Sequence, residues 1–308
     1  MFNFNHTRLI ACLLAAATLT QLSHGAQLDP TFFPEASKHT EESIRLHGLA
    51  QLYPGTILFE SPELITRSER EEAARIEKLP RSITYIRIYR LDEAIPVIKE
   101  ILDDQAVILD MRYLQSPHSG AALIPLLQSK QADTKITTVG VVPQAITDQL
   151  KPFEQAPTIN RRYPTVVLCN RQTAGPFEAI LHSLQANGSI IAVGEATAGR
   201  TGYYKQTDNA TAWMIEGELR PSSDTSLIAS GFIPRIEIEG SPQKNYMSYH
   251  LYEAGTNIQR LLKDDTKEID EHTEDTDKDT NFEPDAVLQR GVDIVAALQI
   301  LQQLPDSH

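Results

Sequence analysis

The sequence predicts an α/β protein built on a mixed or parallel sheet, and three observations carry that reading. Short apolar runs such as Ala106–Asp110, Thr165–Leu168 and Ile190–Val193 have the length and β-branched content of buried strands. Between them lie segments with helical periodicity, among them Leu91–Leu102 and Glu178–Gln185. The regular alternation of the two is the pattern of strand–helix–strand crossovers, not of an all-α or all-β chain.

Residues 1–25 read as an export signal. Met1–Arg8 is weakly basic, Leu9–Leu19 is an apolar run too short to span a bilayer, and the small residues Ser23 and Gly25 place cleavage before Ala26. The expected product is exported, periplasmic or secreted, with no transmembrane span once the signal is removed. Leu9-Ile-Ala-Cys12 imitates a lipidation box, but most of the apolar run follows the cysteine instead of preceding it. Residues 26–80 are expected to form a small, mainly helical N-terminal region. Ile44, Leu46, Leu49 and Leu52 supply its apolar positions, and a charged helix over Ser68–Lys78 opens on a Ser68-x-x-Glu71 capping box.

From residue 81 to 304 the alternation runs through Ile83–Ile88, Leu91–Leu102, Ala106–Asp110, Ala121–Gln128, Ile136–Val142, Thr165–Leu168, Glu178–Gln185 and Ile190–Val193, and closes on an apolar helix after Asp285. An acidic stretch interrupts it at 264–284. Its charge and scarcity of apolar groups predict a disordered insertion, because too little surface can be buried to offset the ordering entropy. Within it Asp275, Asp277 and Asp279 resemble the start of a calcium loop. Thr280 stands where that loop needs a glycine and Ala286 where it needs a bidentate glutamate, so the metal candidate is weak.

Composition excludes several classes. A net charge of −13 without a Lys/Arg stripe argues against nucleic acid, which is bound through a basic surface. There is no His-Glu-x-x-His and no paired Cys-x-x-Cys, so neither a zinc site nor any cofactor is expected. Removal of the signal leaves Cys169 as the only cysteine, which forbids an intramolecular disulfide. Its place at the end of Thr165-Val-Val-Leu-Cys reads as a packed thiol instead of a nucleophile.

The segment from Cys169 to Arg200 carries the functional signal. Asn170, Thr173, Ala174 and Glu178 match N-x-x-T-A-S-A-S-E, and Gly194, Glu195, Thr197 and Gly199 match G-E-x-T-x-G-K without a gap between them. Together these motifs resemble the catalytic segment of the C-terminal processing, or tail-specific, serine proteases. Tyr85-Ile-Arg-Ile88 and Ala106–Arg112 upstream, and Gly231-Phe-Ile-Pro234 and Asp285–Arg290 downstream, resemble further segments of that family in the same order. The resemblance covers residues 81–304 and implies a ClpP/crotonase-like core of ββα units. No PDZ domain is expected ahead of that core.

At the positions that perform the family's chemistry, this chain departs from the pattern. Gly175 replaces the nucleophilic serine and Arg200 the general-base lysine; glycine offers no hydroxyl, and a guanidinium stays protonated and accepts no proton. Pro176 follows the nucleophile position and lacks the backbone N–H that would help hold an oxyanion, a donor worth about 3 kcal/mol. Ala186 stands where an acidic residue is frequent. The resemblance therefore implies a pseudopeptidase acting as a binding or scaffolding module. A cleft around Gly120, Thr173, Gly175, Pro176 and Arg200 would suit ligand binding, Arg200 gripping a carboxylate.

Two alternatives stay open on sequence. One is an active serine-type peptidase with a rearranged site, Ser119 as relocated nucleophile and His118 as its base. The other is a crotonase-like enzyme holding a small acyl compound in a backbone oxyanion hole, against which Pro176 counts. The ligand, whether peptide, protein or small molecule, and the oligomeric state are not specified by the residues.

Overall fold

The computed structural model describes residues 41–62, 71–102, 106–128, 134–150, 165–208, 210–221, 223–238, 242–262 and 284–303. The expected signal peptide, the Ser68 capping box, the acidic insertion up to residue 283 and the Asp275, Asp277 and Asp279 candidate lie outside them. The chain divides into two compact units, Met1–Leu49 and Ala50–His308. Of the first, the described part is the start of helix α1, Glu41–Leu52, where helical spacing predicted a helix.

The second unit is organised by a six-stranded sheet. Its strands are β2 (Ala74–Leu79), β3 (Ile83–Ile88), β4 (Ala106–Asp110), β6 (Thr165–Cys169), β7 (Ile190–Gly194) and β10 (Ile236–Glu237), lying in the order β10-β7-β6-β4-β3-β2. From β3 to β10 every pairing is parallel, and β2 closes one edge antiparallel. Helix α2 (Leu91–Ile101) connects β3 to β4, and α5 (Phe177–Ala186) connects β6 to β7. Between β4 and β6 the chain forms α3 (Leu123–Leu127), β5 (Ile136–Gly140) and α4 (Gln144–Leu150). The fold is thus mixed α/β with crossovers, as the alternating pattern requires.

Because side chains alternate across a strand, the sheet has two apolar faces and both are covered. Ile86, Val107, Leu109, Val167 and Ala192 pack with Ala94, Ile98, Phe177, Ile180 and Leu184 of α2 and α5. Ile83, Tyr85, Ile108, Val166 and Leu168 pack on the other side with Tyr252, Val287, Leu288 and Val295. The last four belong to α6 (Pro242–Glu253) and α7 (Ala286–Gln303). This double burial explains why the strands read as unbroken apolar runs. A second, antiparallel sheet centres on β9 (Trp213–Pro221), which pairs with β1 (Ile57–Leu58), β5 and β8 (Gly202–Gln206).

One expectation is overturned. The helix predicted over Ser68–Lys78 is not formed in its described part, where Ala74–Leu79 is a strand running from Ala74 opposite Ile88 to Leu79 opposite Ile83. The segment Ala-Arg-Ile-Glu-Lys-Leu has good helix formers, but the open edge of β3 offers a full ladder of backbone partners, and a tertiary pairing outweighs a weak local preference. The reversal between the two strands is tight, with Arg81 and Ser82 at φ 62 and 57. The core sheet therefore starts at residue 74 instead of 81.

Buried charge locks this sheet to the helices at its carboxyl ends. Arg112, just beyond β4, donates from Nε and Nη2 to Asp110 at 2.9 and 2.7 Å and from Nη1 to both oxygens of Asp285 at 2.9 and 2.8 Å. Asp285 also accepts the backbone N–H of Leu288 and so caps α7. Arg87 joins Asp110 at 3.2 Å and Glu253 at 2.7 Å, with the Tyr249 and Tyr252 rings about its guanidinium. Burial would raise the Asp110 carboxyl, but the charges of Arg112 and Arg87 and the hydrogen bonds from Arg112 and Tyr85 outweigh it and hold the group well below the usual range.

Candidate functional site

The residues singled out in the Cys169–Arg200 segment converge on one carboxylate. Glu178 lies in the first turn of α5 and is fully buried. Its oxygens accept the backbone N–H groups of Gly175 at 3.0 Å, Gly199 at 2.8 Å and Arg200 at 2.9 Å, and the hydroxyl of Thr197 donates to it as well. Burial pushes this carboxyl up from its ordinary value, while the hydrogen bonds from Thr197, Gly175, Arg200 and Gly199 oppose the shift. Gly175 and Arg200, where the motif resemblance places a nucleophile and a base, are therefore neighbours in space, stitched together through the main chain of both.

Gly175 is closed off by the turn that follows β4. The Leu114–Ser116 stretch runs alongside Ala174: Ala174 N donates to Leu114 O at 2.9 Å and Ser116 N to Ala174 O at 3.0 Å. This brings the Ser116 carbonyl oxygen to 2.1 Å from where a Cβ on Gly175 would stand, at a φ of +149° that side-chain-bearing residues rarely adopt. No serine fits there without movement of the turn. Pro176 is the N-cap residue immediately before α5, where the missing N–H costs the helix nothing. At this turn Pro176 has no N–H to offer an oxyanion, and that of Gly175 is already committed to Glu178.

The other candidates are placed as follows. The Thr173 hydroxyl is buried and donates to Met111 O at 2.9 Å while accepting Asn170 N–H, so it ties down the turn. Gly175 and Pro176 are buried and Arg200 is partly exposed, whereas Ala186 is exposed at the far end of α5. Gly120, at φ 67, lines a cavity of about 270 Å³ with His118, Asp92 and Gln149. Ser119 is fully buried and its hydroxyl donates to Gln149 Oε1 at 3.0 Å. His118 turns to Asp92, Nε2 to Oδ2 3.4 Å, leaving Ser119 oriented toward the amide and not toward an imidazole base. Cys169 is buried, and desolvation raises its thiol far above the range of a reactive thiolate.

A pocket that the sequence did not reveal opens beyond the carboxyl ends of β4, β6 and β7. Tyr113, Asn170, Gln172 and Glu195 come from the loops after these strands, and Tyr246 and Met247 reach over from α6; the cavity measures about 380 Å³. The signal that could have found it is the Tyr246, Tyr249, Tyr252 spacing, which puts aromatic rings along one side of a helix, together with Tyr113 directly after the buried Arg112. Tyr113 is held at φ 63, and its ring lies 4.3 Å from that of Tyr249 and 6.2 Å from that of Tyr246. Among the described residues no group of three or more His, Cys, Asp or Glu side chains could hold a metal, and no helix is long and apolar enough to cross a membrane.

No protein-family model and no curated protein sequence matches the chain. Solved structures do. A photosystem II D1 C-terminal processing protease is 14% identical with a TM-score of 0.37, covering 55% of this chain, which spans about half (48%) of that protein's length. A protein assigned to the S41 proteases from Bacteroides fragilis is 15% identical with a TM-score of 0.44, over 78% of this chain and 60% of that one. A lipoprotein from Streptococcus agalactiae is 19% identical with a TM-score of 0.41, over 63% of this chain and 74% of the other. The first two are of the class that the sequence motifs resemble. With every TM-score here below 0.5, the chemistry of the site is read from its own residues.

Proposed function

We propose that this chain is an exported, tail-specific-protease-like protein without family-type peptidase activity, acting as a binding or scaffolding module. The observation that carries the reading is the arrangement around Glu178. The carboxylate occupies the backbone donors of Gly175 and Arg200, and the Ser116 carbonyl occupies the space a nucleophile would need. Acyl transfer requires a hydroxyl or thiol, a base to take its proton, and open donors for the oxyanion. Here the first two are absent at the family positions, and the third is filled from within. Export is supported by the basic, apolar and small-residue succession of residues 1–25.

The test is incubation of residues 26–308 with unfolded protein and with C-terminally tagged peptides, read by mass spectrometry beside a Ser119→Ala control. No cleavage over long incubation is expected. Cleavage abolished by Ser119→Ala would establish a relocated nucleophile and overturn the pseudopeptidase reading. Cleavage that persists in a repurified Ser119→Ala preparation would overturn it through another residue.

A further inference from the structure

We infer that the outer edge of β2 is an interface for a second copy of this chain, the two strands pairing antiparallel about a two-fold axis at Ile76. Among the described residues β2 ends the six-stranded sheet, and no strand pairs with its outer side. Sheet edges are commonly guarded by shortness, proline or a bulge. β2 runs for six residues, Ala-Arg-Ile-Glu-Lys-Leu, without proline, and its register with β3 is unbroken from Ala74 opposite Ile88 to Leu79 opposite Ile83. Ile76, in the middle of it, is 43% exposed.

The backbone limits which residues can meet. Tyr89 N–H donates to Ala73 O at 2.9 Å, so these two form a hydrogen-bonded pair at the end of the ladder. Such pairs alternate along antiparallel strands, so the main-chain groups of Arg75, Glu77 and Leu79 turn toward β3 and those of Ala74, Ile76 and Lys78 turn outward. A two-fold partner must join outward groups to outward groups. Three registers do so over the middle of the strand: Ala74 facing Ile76, Ile76 facing its own copy, and Ile76 facing Lys78.

Charge chooses among them. The first register sets Arg75 against Arg75 of the second copy, and the third sets Glu77 against Glu77, both at the positions where side chains across an antiparallel pair come closest. The register centred on Ile76 sets Arg75 against Glu77 twice, once on each side of the axis. Within one chain the two already lie together, Arg75 Nε donating to Glu77 Oε1 at 3.1 Å, and their side chains are only 24% and 33% exposed. Tyr252 steadies both, its ring centroid 4.2 Å from the Arg75 guanidinium and its hydroxyl donating to Glu77 at 3.3 Å. Pairing would therefore close a ring of four alternating charges whose side chains are ordered beforehand. On the opposite face Ile76 would cover Ile76, and Lys78 would face Ala74 instead of a like charge. A six-residue edge buries less than the roughly 1,200–2,000 Å² of stable complexes, so the dimer is expected to be weak and concentration-dependent.

The experiment is sedimentation equilibrium of residues 26–308 from about 1 μM to about 1 mM. The parent is expected to pass from monomer to dimer within that range. Arg75→Glu and Glu77→Arg, each alone, place like charges across the axis and are expected to weaken dimerisation tenfold or more. An equimolar mixture of the two variants restores opposite signs at every facing pair and is expected to recover association as a heterodimer. Ile76→Pro removes an outward N–H and no donor to β3, and is expected to abolish the dimer with little change in melting temperature. A parent that stays monomeric throughout, a dimer indifferent to the single variants, or a mixture that associates no better than its components would each overturn the inference. Mass is read here and cleavage in the peptidase test, so the failure of one leaves the other standing.

Discussion

A Cβ on Gly175 would lie 2.1 Å from the carbonyl oxygen of Ser116. Restoring the missing chemistry by substitution is therefore a steric problem as well as a chemical one. The Gly175→Ser, Arg200→Lys double variant is expected to show no peptidase activity. It should also lose roughly 3 kcal/mol of stability from the clash and the unfavourable φ. Urea unfolding and a tagged-peptide assay check both, and hydrolysis by a well-folded double variant would show that the turn yields.

Asp110 sets the acid limit of the fold. Its folded-state pKa is depressed below the ordinary aspartate value of about 3.9, so its contribution to stability is present above that value and is lost as pH falls below it. Asp110→Asn leaves Arg112 and Arg87 with less buried counter-charge and is expected to cost about 3 kcal/mol at pH 7. The variant should also flatten the fall in stability between pH 5 and pH 2. Urea midpoints across that range test the sign, and parallel pH profiles for variant and parent would refute it.

Glu178 carries the opposite sign. Its carboxyl is raised, so its contribution is full below the ordinary glutamate value of about 4.3 and declines as pH rises through the raised value. In Glu178→Gln the amide N–H₂ replaces one acceptor before the N–H groups of Gly175, Gly199 and Arg200, at a cost of about 2 kcal/mol. The deficit against the parent is expected to be largest near pH 4 and to narrow toward pH 8, measured by denaturant titration at each pH.

Legibility in the sequence followed locality. Ala106–Asp110, Thr165–Cys169 and Ile190–Gly194 are buried on both faces, so burial is written into each as an apolar run. Residues 74–79 read as helix because nothing in Ala-Arg-Ile-Glu-Lys-Leu announces that β3 has an open edge. The loss of serine at 175 and of lysine at 200 was visible as residue identity. The closure was not, since it depends on the Ser116 carbonyl, 59 positions away in another turn, and on Glu178 taking three main-chain donors at once. The aromatic pocket escaped for the same reason, Tyr113 and Tyr246 being joined only when α6 docks.

The pairing of Arg112 with Asp285 spans 173 residues, which has a consequence for biosynthesis. At about 5–20 residues per second a ribosome needs on the order of ten to thirty seconds to travel between them. Through that interval the guanidinium that finishes β4 has only half of its counter-ions, and the nascent sheet stays short of the helix that covers its second face. Arrested nascent chains released before Asp285 emerges should be digested readily by added protease, and those that include α7 should resist it.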